Sequence, residues 1–246
     1  MMIKKISNVS TTLIVNTYEC FYYGDNQDIS DCEINISKKY NSENLLKISR
    51  NISKTIQTEI LNESSHNFDP FGDSGSLLIQ ADLNLYNSAT LHLKESHITF
   101  HTYIEDILDN FAIVRLEYHI SSCSDSNVYN SLKDIILLSE ENFFPDLVAI
   151  DYIRRGAKYG NNPDDIIYDT NNLNFNEYPM YHISSITPSM NTSHHTLLLD
   201  NEFMLNKFQK NNSFFQSDMV PVLKKFLIAS YSNHKIDCKS SNLKSS

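Results

Sequence analysis

A two-residue alternation between positions 96 and 103 limits the fold of this chain more than any other sequence pattern. Polar groups occupy one side of this extended segment, at His97, Thr99, His101 and Tyr103. Apolar side chains occupy the other side, at Ile98 and Phe100. Because successive side chains of a strand point to opposite faces, the segment is expected to be a strand with one covered face. Residues 11–23, 111–122 and 147–154 are also rich in apolar, β-branched or aromatic residues and predict further strands.

Helical spacing appears between these predicted strands. The apolar residues from Leu45 to Ile60 recur every three or four positions and predict a helix over about 43–61. A second helix is expected to begin at Val128 and to end before Pro145, and a third to run from Pro221 to about Tyr231. The order predicts an α+β protein, mainly an antiparallel β-sheet with helices packed on one face.

The chain length of 246 residues fits one domain. We expect residues 1–156 to form its core (strand, helix, strands, helix, strand) and residues 157–235 to extend the same domain. The polar stretch 156–178 predicts an irregular excursion, and residues 236–246 predict a disordered tail. Short strands are also predicted at 76–83 and 89–94.

Composition excludes several classes of function. The formal net charge of -10 argues against a nucleic-acid partner, which would require a basic patch. No run of 18 or more apolar residues predicts a membrane span, and the first nine residues are too polar for a secretory signal. The cysteines are widely spaced, which predicts neither a zinc site nor a disulfide framework and indicates a reducing, cytoplasmic location: Cys20, Cys32, Cys123 and Cys238.

Three segments could carry chemistry. Residues 68–75 hold two of only five glycines, which predicts a turn with special backbone geometry or close approach, although an ordinary turn is the alternative. The run Glu95-Ser96-His97 is followed by His101, which by strand alternation lies on the face opposite Ser96, so a direct hydrogen bond requires a bent strand. Cys123, at a strand end, is either a small buried residue or a proton donor. His194 and His195 have no carboxylate or cysteine at metal-binding spacing, which favours a surface pair over a metal site, and no metal site is predicted.

Together, in order and content, these segments resemble the bacterial S-adenosylmethionine decarboxylase proenzymes. The matching elements are an aromatic-x-Pro-x-Gly-x-Ser segment at Phe68–Ser74, a processing-site strand at Glu95–Glu105, and the run Ser121-Ser122-Cys123. Residues 147–156 are similar to the larger enterobacterial-type branch. The resemblance covers residues 10–156 well and the remaining third only in layout. Ile104 stands where the family commonly has proline, and Ser124 where it commonly has glycine.

The resemblance implies a self-cleaving, pyruvoyl-dependent enzyme. Ser96 would attack the carbonyl of Glu95, and the chain would break between them and leave a pyruvoyl group at Ser96 as the cofactor. Ser74 would assist processing and His101 would be the processing base. Cys123 would donate the proton that completes each decarboxylation.

The same resemblance implies the substrate and its contacts. Phe68 would stack near the adenine, and Glu105 would accept hydrogen bonds from the ribose hydroxyls of S-adenosylmethionine. Loss of CO2 would give the aminopropyl donor for spermidine synthesis. The alternatives are a pyruvoyl-dependent decarboxylase of another amino acid, such as ornithine or arginine, and a non-catalytic regulatory homologue. A homo-oligomer of cleaved chain pairs is expected. Some relatives need Mg2+, but the sequence shows no set of carboxylates dedicated to a metal. It therefore does not decide whether this chain needs Mg2+.

Overall fold

A single antiparallel sheet organises the chain in the computed structural model. The structure describes residues 10–22, 29–68, 72–81, 96–108, 111–122, 127–137, 144–155, 173–188, 192–211 and 215–232. Its strands are β1 Ser10–Tyr22, β2 Thr58–Asn67, β3 Asp73–Ala81, β4 His97–Leu108, β5 Phe111–Ser122, β6 Leu147–Arg155, β7 Tyr181–Pro188 and β8 Thr192–Leu199. They lie in the order β2-β3-β4-β5-β1-β6-β8-β7, and each neighbouring pair is antiparallel. The predicted α+β class is confirmed.

Helices join these strands and cover the sheet. They are α1 Ile29–Lys39, α2 Ser42–Thr55, a 3-10 turn Val128–Ser131 that continues into α3 Leu132–Ile136, α4 Asn201–Asn211 and α5 Met219–Tyr231. No helix within the described ranges is long and apolar enough to cross a membrane.

Helix α2 shows why the first helices pack as they do. The side chain of Asn41 caps its start by accepting from the amide of Asn44 at 2.8 Å. Its apolar stripe is buried, and the hydroxyl of Tyr118 on β5 donates to the carbonyl of Leu45 at 3.0 Å. The predicted extension of this helix to residue 61 is wrong. Gln57 has a positive φ of 57°, which ends the helical path, and β2 begins at Thr58.

The two faces of the sheet are covered differently. Cross-strand pairing places Tyr118, which contacts α2, on the same face as His195, and therefore His194 on the opposite face. On that opposite face, the ring of Tyr231 in α5 stacks on His194 with centroids 6.1 Å apart and meets Tyr18 edge-on at 5.9 Å. The first helices thus cover one face as predicted, and α5 adds a cover on the other face that the sequence analysis did not anticipate.

The carboxyl-terminal region contributes regular structure. Strand β8 pairs with β6 from Leu147↔Leu198 to Ile153↔Thr192, so residues 192–199 join the same sheet as the amino-terminal strands. Residues 173–180 form irregular turns before β7. The predicted strand at 89–94, the tail 236–246 and residues 156–172 lie outside the described residues.

A buried ion network ties this region to the rest of the sheet. The ammonium of Lys207 on α4 lies 2.9 Å from Asp146 Oδ1 and 3.2 Å from Glu19 Oε1, and the two carboxylates are 0% and 2% exposed. The other oxygen of Glu19 lies 2.5 Å from both Lys39 Nζ and the Tyr40 hydroxyl. Burial alone would raise the pKa of Glu19, but Lys207 and Lys39 hold it below its ordinary value.

Candidate active site

The turn that closes β2 onto β3 depends on two glycines. The amide of Phe68 donates to the carbonyl of Gly72 at 2.7 Å, and Gly72 has a φ of +123°, which side-chain-bearing residues rarely adopt. A Cβ at Gly75 would lie 2.4 Å from the ring of Phe100. The prediction that this segment needs special geometry or close approach is confirmed for both glycines.

Phe68 is presented at the edge of this turn. Its side chain is 53% exposed, as a residue that contacts a ligand requires. The turn is fixed to β4 because the amide of Asp73 donates to Thr102 Oγ1 at 2.7 Å. The Asp73 carboxylate also accepts from the amide of Ser42, at the start of α2, at 3.1 Å.

Ser96 lies immediately before β4 and is fully buried. Its carbonyl accepts from the amide of Ile79 on β3 at 3.1 Å, which anchors the backbone at this point. On the other side, His97 pairs with Ser121 on β5, so the register brings Ser122 level with Ser96. Ser122 is also fully buried, and Cys123 is the next residue in the chain. Glu95 and Cys123 themselves lie outside the described residues.

Ser74 and His101 face each other across neighbouring strands. They are register partners in the β3–β4 pair, so their side chains lie on one face of the sheet. Ser74 is 8% exposed. The imidazole of His101 is partly exposed and stacks on Tyr103, with ring centroids 6.2 Å apart and an interplanar angle of 27°.

The site residues from the sequence analysis therefore fall into two groups. Ser96 and Ser122, the residue before Cys123, lie at one end of β4. Ser74 and His101 lie farther along, since the five residues between Ser96 and His101 span roughly 16 Å at the rise of a strand. Within one chain, this separation is too large for a hydrogen bond between Ser96 and either residue of the second group. The register of β4 runs without a shift from His97 to His101, so the strand lacks the irregularity that a direct bond between Ser96 and His101 would require.

Glu105 belongs to the second group and sits on a β-bulge. Ile104 pairs with Val114 and Asp106 pairs with Ile113, so Glu105 is an extra residue with no partner in the ladder. Its carboxylate binds the guanidinium of Arg115 on β5 through Oε1 and Nε. The Glu105 side chain is 27% exposed and remains accessible.

Arg115 connects several polar groups on this face that the sequence analysis missed. Its Nη1 binds the carboxylate of Glu117, and its guanidinium carbon lies 4.2 Å from the ring centroid of Tyr103. The second oxygen of Glu117 lies 2.7 Å from Nε2 of His119. Burial would lower the pKa of Arg115, but its contacts with Glu105 raise it overall. The alternation of Arg115, Glu117 and His119 along β5 was the signal that could have revealed the cluster.

Histidines elsewhere form no metal centre among the described residues. The expected surface pair is wrong for His195, which is buried, while His194 is partly exposed but bound by neighbouring side chains. His194 Nδ1 lies 2.7 Å from Asp151 Oδ1, and its Nε2 lies 2.6 Å from the Tyr231 hydroxyl. His195 is 1% exposed and packs against Phe175, because alternation turns it to the opposite face.

Several curated relatives of this chain are named as decarboxylase proenzymes. No protein-family model matches the chain. A curated S-adenosylmethionine decarboxylase proenzyme of Clostridium botulinum (strain Eklund 17B / Type B) is 26% identical over 235 residues, and the match covers 85% of each chain. Curated proteins of the same name from Clostridium botulinum (strain Alaska E43 / Type E3) and Hahella chejuensis are 30% identical over 169 and 164 residues, 61% of each chain.

A solved structure adds a weaker match. The crystal structure of the adenosylmethionine decarboxylase from Aquifex aeolicus has a TM-score of 0.39 and 16% identity, covering 61% of this chain and 93% of that chain. The chain is an α+β protein related to decarboxylase proenzymes. It is a homologue of the S-adenosylmethionine decarboxylase proenzymes over much of its length, as the sequence resemblance predicted.

Proposed function

We propose that this protein is a self-cleaving, pyruvoyl-dependent decarboxylase that converts S-adenosylmethionine to its decarboxylated form and CO2. The observation that carries the proposal is the position of Ser96 in a chain homologous to such proenzymes: buried, anchored to Ile79, and level with the residue before Cys123. The product would supply aminopropyl groups for spermidine synthesis. The cytoplasm is the compartment we propose for this reaction.

Self-cleavage would use the side chain of Ser96. Its Oγ attacks the carbonyl carbon of Glu95, and an ester replaces the peptide bond. A base removes the proton from Cα of residue 96. The main-chain carboxylate of Glu95 then leaves, and residue 96 becomes dehydroalanine. Addition of water and loss of ammonia then give the pyruvoyl group. The fragments would contain 95 and 151 residues.

The surroundings of Ser96 fit such a group. A carbonyl at this position would be held out of water, because Ser96 and its neighbour Ser122 are both 0% exposed. When present, the pyruvoyl carbonyl supplies an electron sink for the loss of CO2 from a bound amino acid. Cys123 would deliver a proton to the substrate's α carbon, and its sequence position directly after Ser122 supports that role.

Substrate recognition would depend on the other group of residues. Phe68 offers an exposed ring for stacking on a nucleobase, and Glu105 offers an accessible carboxylate for the ribose hydroxyls. The two carboxylates around the single guanidinium of Arg115 leave an excess of negative charge, which favours a cationic sulfonium substrate.

A second copy of the chain would bring the two groups together. Ser74 and His101 lie too far along the sheet to act on Ser96 of their own chain, yet both are on the face that α1 and α2 leave open. A homo-oligomer in which His101 of one copy approaches Ser96 of another reconciles the proposed roles with the geometry. Each working unit would then consist of cleaved chain pairs.

Intact-mass analysis tests self-cleavage. Freshly purified protein should give two fragments, the larger without a free amine, and the Ser96→Ala variant should remain one chain. A wild-type chain that stays whole under native conditions would favour the non-catalytic homologue. Release of labelled CO2 from carboxyl-labelled S-adenosylmethionine, ornithine or arginine then identifies the substrate, since one pocket does not accept both substrate classes well.

Mixed oligomers test the sharing of residues between copies. We expect His101→Ala to remain uncut when expressed alone. Co-expression with tagged Ser96→Ala copies should restore cleavage of the His101→Ala chain, because its intact Ser96 meets His101 of the other copy. Failure of any mixture to cleave, although mixed oligomers form, would show that each chain processes itself or that His101 is not the base.

A further inference from the structure

We propose that Arg115 is a positioning residue that holds Glu105 for substrate binding. The inference rests on the proposed function, in which the Glu105 carboxylate accepts hydrogen bonds from the ribose hydroxyls. Arg115 would not touch the substrate. It would act by fixing the direction and the charged state of a carboxylate that lies on an irregular part of its strand.

The bulge is the reason that Glu105 needs an external support. A residue in a regular ladder is oriented by pairing with a residue on the next strand, but Glu105 falls between the paired residues Ile104 and Asp106 and has no partner on β5. Bulges turn a side chain away from the regular alternation and leave the extra residue unpaired. The side-chain contact with Arg115 replaces the orientation that the ladder does not provide.

Arg115 is itself held on several sides. Its register partner on β4 is Tyr103, whose ring lies 4.2 Å below the guanidinium carbon. Its Nη1 binds Glu117 and reaches Asn16 Oδ1 on β1 at 3.4 Å. A guanidinium fixed by an aromatic ring and by groups from two strands can hold Glu105 with little loss of side-chain entropy on binding.

The contact leaves part of Glu105 available. Arg115 Nε binds Oε1, and no described residue donates a hydrogen bond to Oε2. Arg115 is 21% exposed and Glu105 is 27% exposed, so the pair is partly desolvated but open to a ligand. An oriented carboxylate with one free oxygen fits a pair of neighbouring hydroxyl donors.

Steady-state kinetics with carboxyl-labelled S-adenosylmethionine test the proposal. We expect Arg115→Met to raise KM about tenfold with kcat within about twofold, because a contact that serves ground state and transition state equally changes KM alone. The Glu105→Gln/Arg115→Met double variant should have the same KM as Glu105→Gln, because Arg115 acts through Glu105. An analogue without the ribose hydroxyls should bind the wild type and Arg115→Met equally.

Two further measurements make the outcome decisive. Arg50→Met removes a comparable arginine–glutamate pair, with Glu63 on β2, and should leave KM unchanged. Intact mass confirms that every variant is cleaved before its kinetics are measured. An unchanged KM in Arg115→Met, or a double variant with the product of the two single effects, overturns the role of Arg115 alone. A cleaved wild type that releases no CO2 from S-adenosylmethionine overturns the proposed function and this inference with it.

Discussion

Two networks in this protein each place one cation between two carboxylates, but they differ in burial. Around Lys207, the Glu19 and Asp146 side chains are 2% and 0% exposed. Around Arg115, the Glu105 and Glu117 side chains are 27% and 22% exposed. The same arrangement of charges therefore has a different role in each network. The first fixes α4 to the sheet, and the second leaves carboxylate oxygens within reach of a ligand.

The buried network should give the largest effect when it is broken. Lys207→Met leaves two buried carboxylates without their shared cation, and we expect the free energy of unfolding to fall by about 3–5 kcal/mol at neutral pH. Urea denaturation measures the change. Lys210→Met, at an exposed position on the same helix, is the matched control and should stay near the wild type. Equal effects of the two variants would show that the Lys207 contacts are not responsible.

Lowering the pH should remove much of that deficit. In the wild type, the pKa of Glu19 is below its ordinary value of 4.5, so its ionised form stabilises the fold above that pH. Burial already holds the pKa of Asp146 above its ordinary value in the wild type, and loss of the Lys207 charge should raise the pKa of both carboxylates. Ionisation of the two groups then destabilises the variant increasingly as the pH rises. The difference between variant and wild type should shrink from pH 7 to about pH 4.5. A pH-independent difference would contradict this account.

Removing one hydrogen bond from the buried network should have a smaller effect. Tyr40→Phe deletes the hydroxyl that donates to Glu19 at 2.5 Å while it keeps the ring. We expect a loss of about 1.5–3 kcal/mol, the usual value for a hydrogen bond to a buried charged group. Tyr103→Phe, whose ring is 41% exposed, provides the comparison and should change stability little. Thermal unfolding followed by circular dichroism would separate the two.

Breaking the open network should change stability least. Arg115→Met is expected to cost about 1 kcal/mol or less, because partly exposed ion pairs contribute little. A loss as large as that of Lys207→Met would mean that the open network is primarily structural. The proposed difference in role between Lys207 and Arg115 would then be wrong, whatever the kinetic result.

Sequence patterns located the central strands because burial dictates their composition. In β4, the fully buried Ile98 and Phe100 alternate with partly exposed polar residues, and β1, β5 and β6 are also apolar on a covered face. The edge strands gave no such signal. Strand β2 is largely exposed, and its polar sequence is typical of a loop. Ile60 within it also continues the apolar spacing of α2. The positive φ of Gln57 lies at the boundary between the two elements.

The candidate site was predictable only in part for a similar reason. Ser74, Ser96 and His101 stood out through their resemblance to a known motif. Arg115 did not, because its importance depends on cross-strand pairing with Tyr103 and on a bulge at Glu105 that one sequence does not reveal. The separation between Ser96 and His101 likewise follows from the unbroken pairing of His97 to His101 with β3 and β5, which only the structure describes.

The strand order has a consequence for the chain after it is cut. A break before Ser96 assigns β1, β2 and β3 to one piece and β4 to β8 to the other. Strand β1 of the smaller piece lies between β5 and β6 of the larger piece and pairs with both. Strand β3 of the smaller piece also pairs with β4. Neither piece can leave without dismantling the sheet. Cleavage would thus change the chemistry at one residue, while the two fragments stay associated, elute together and unfold together.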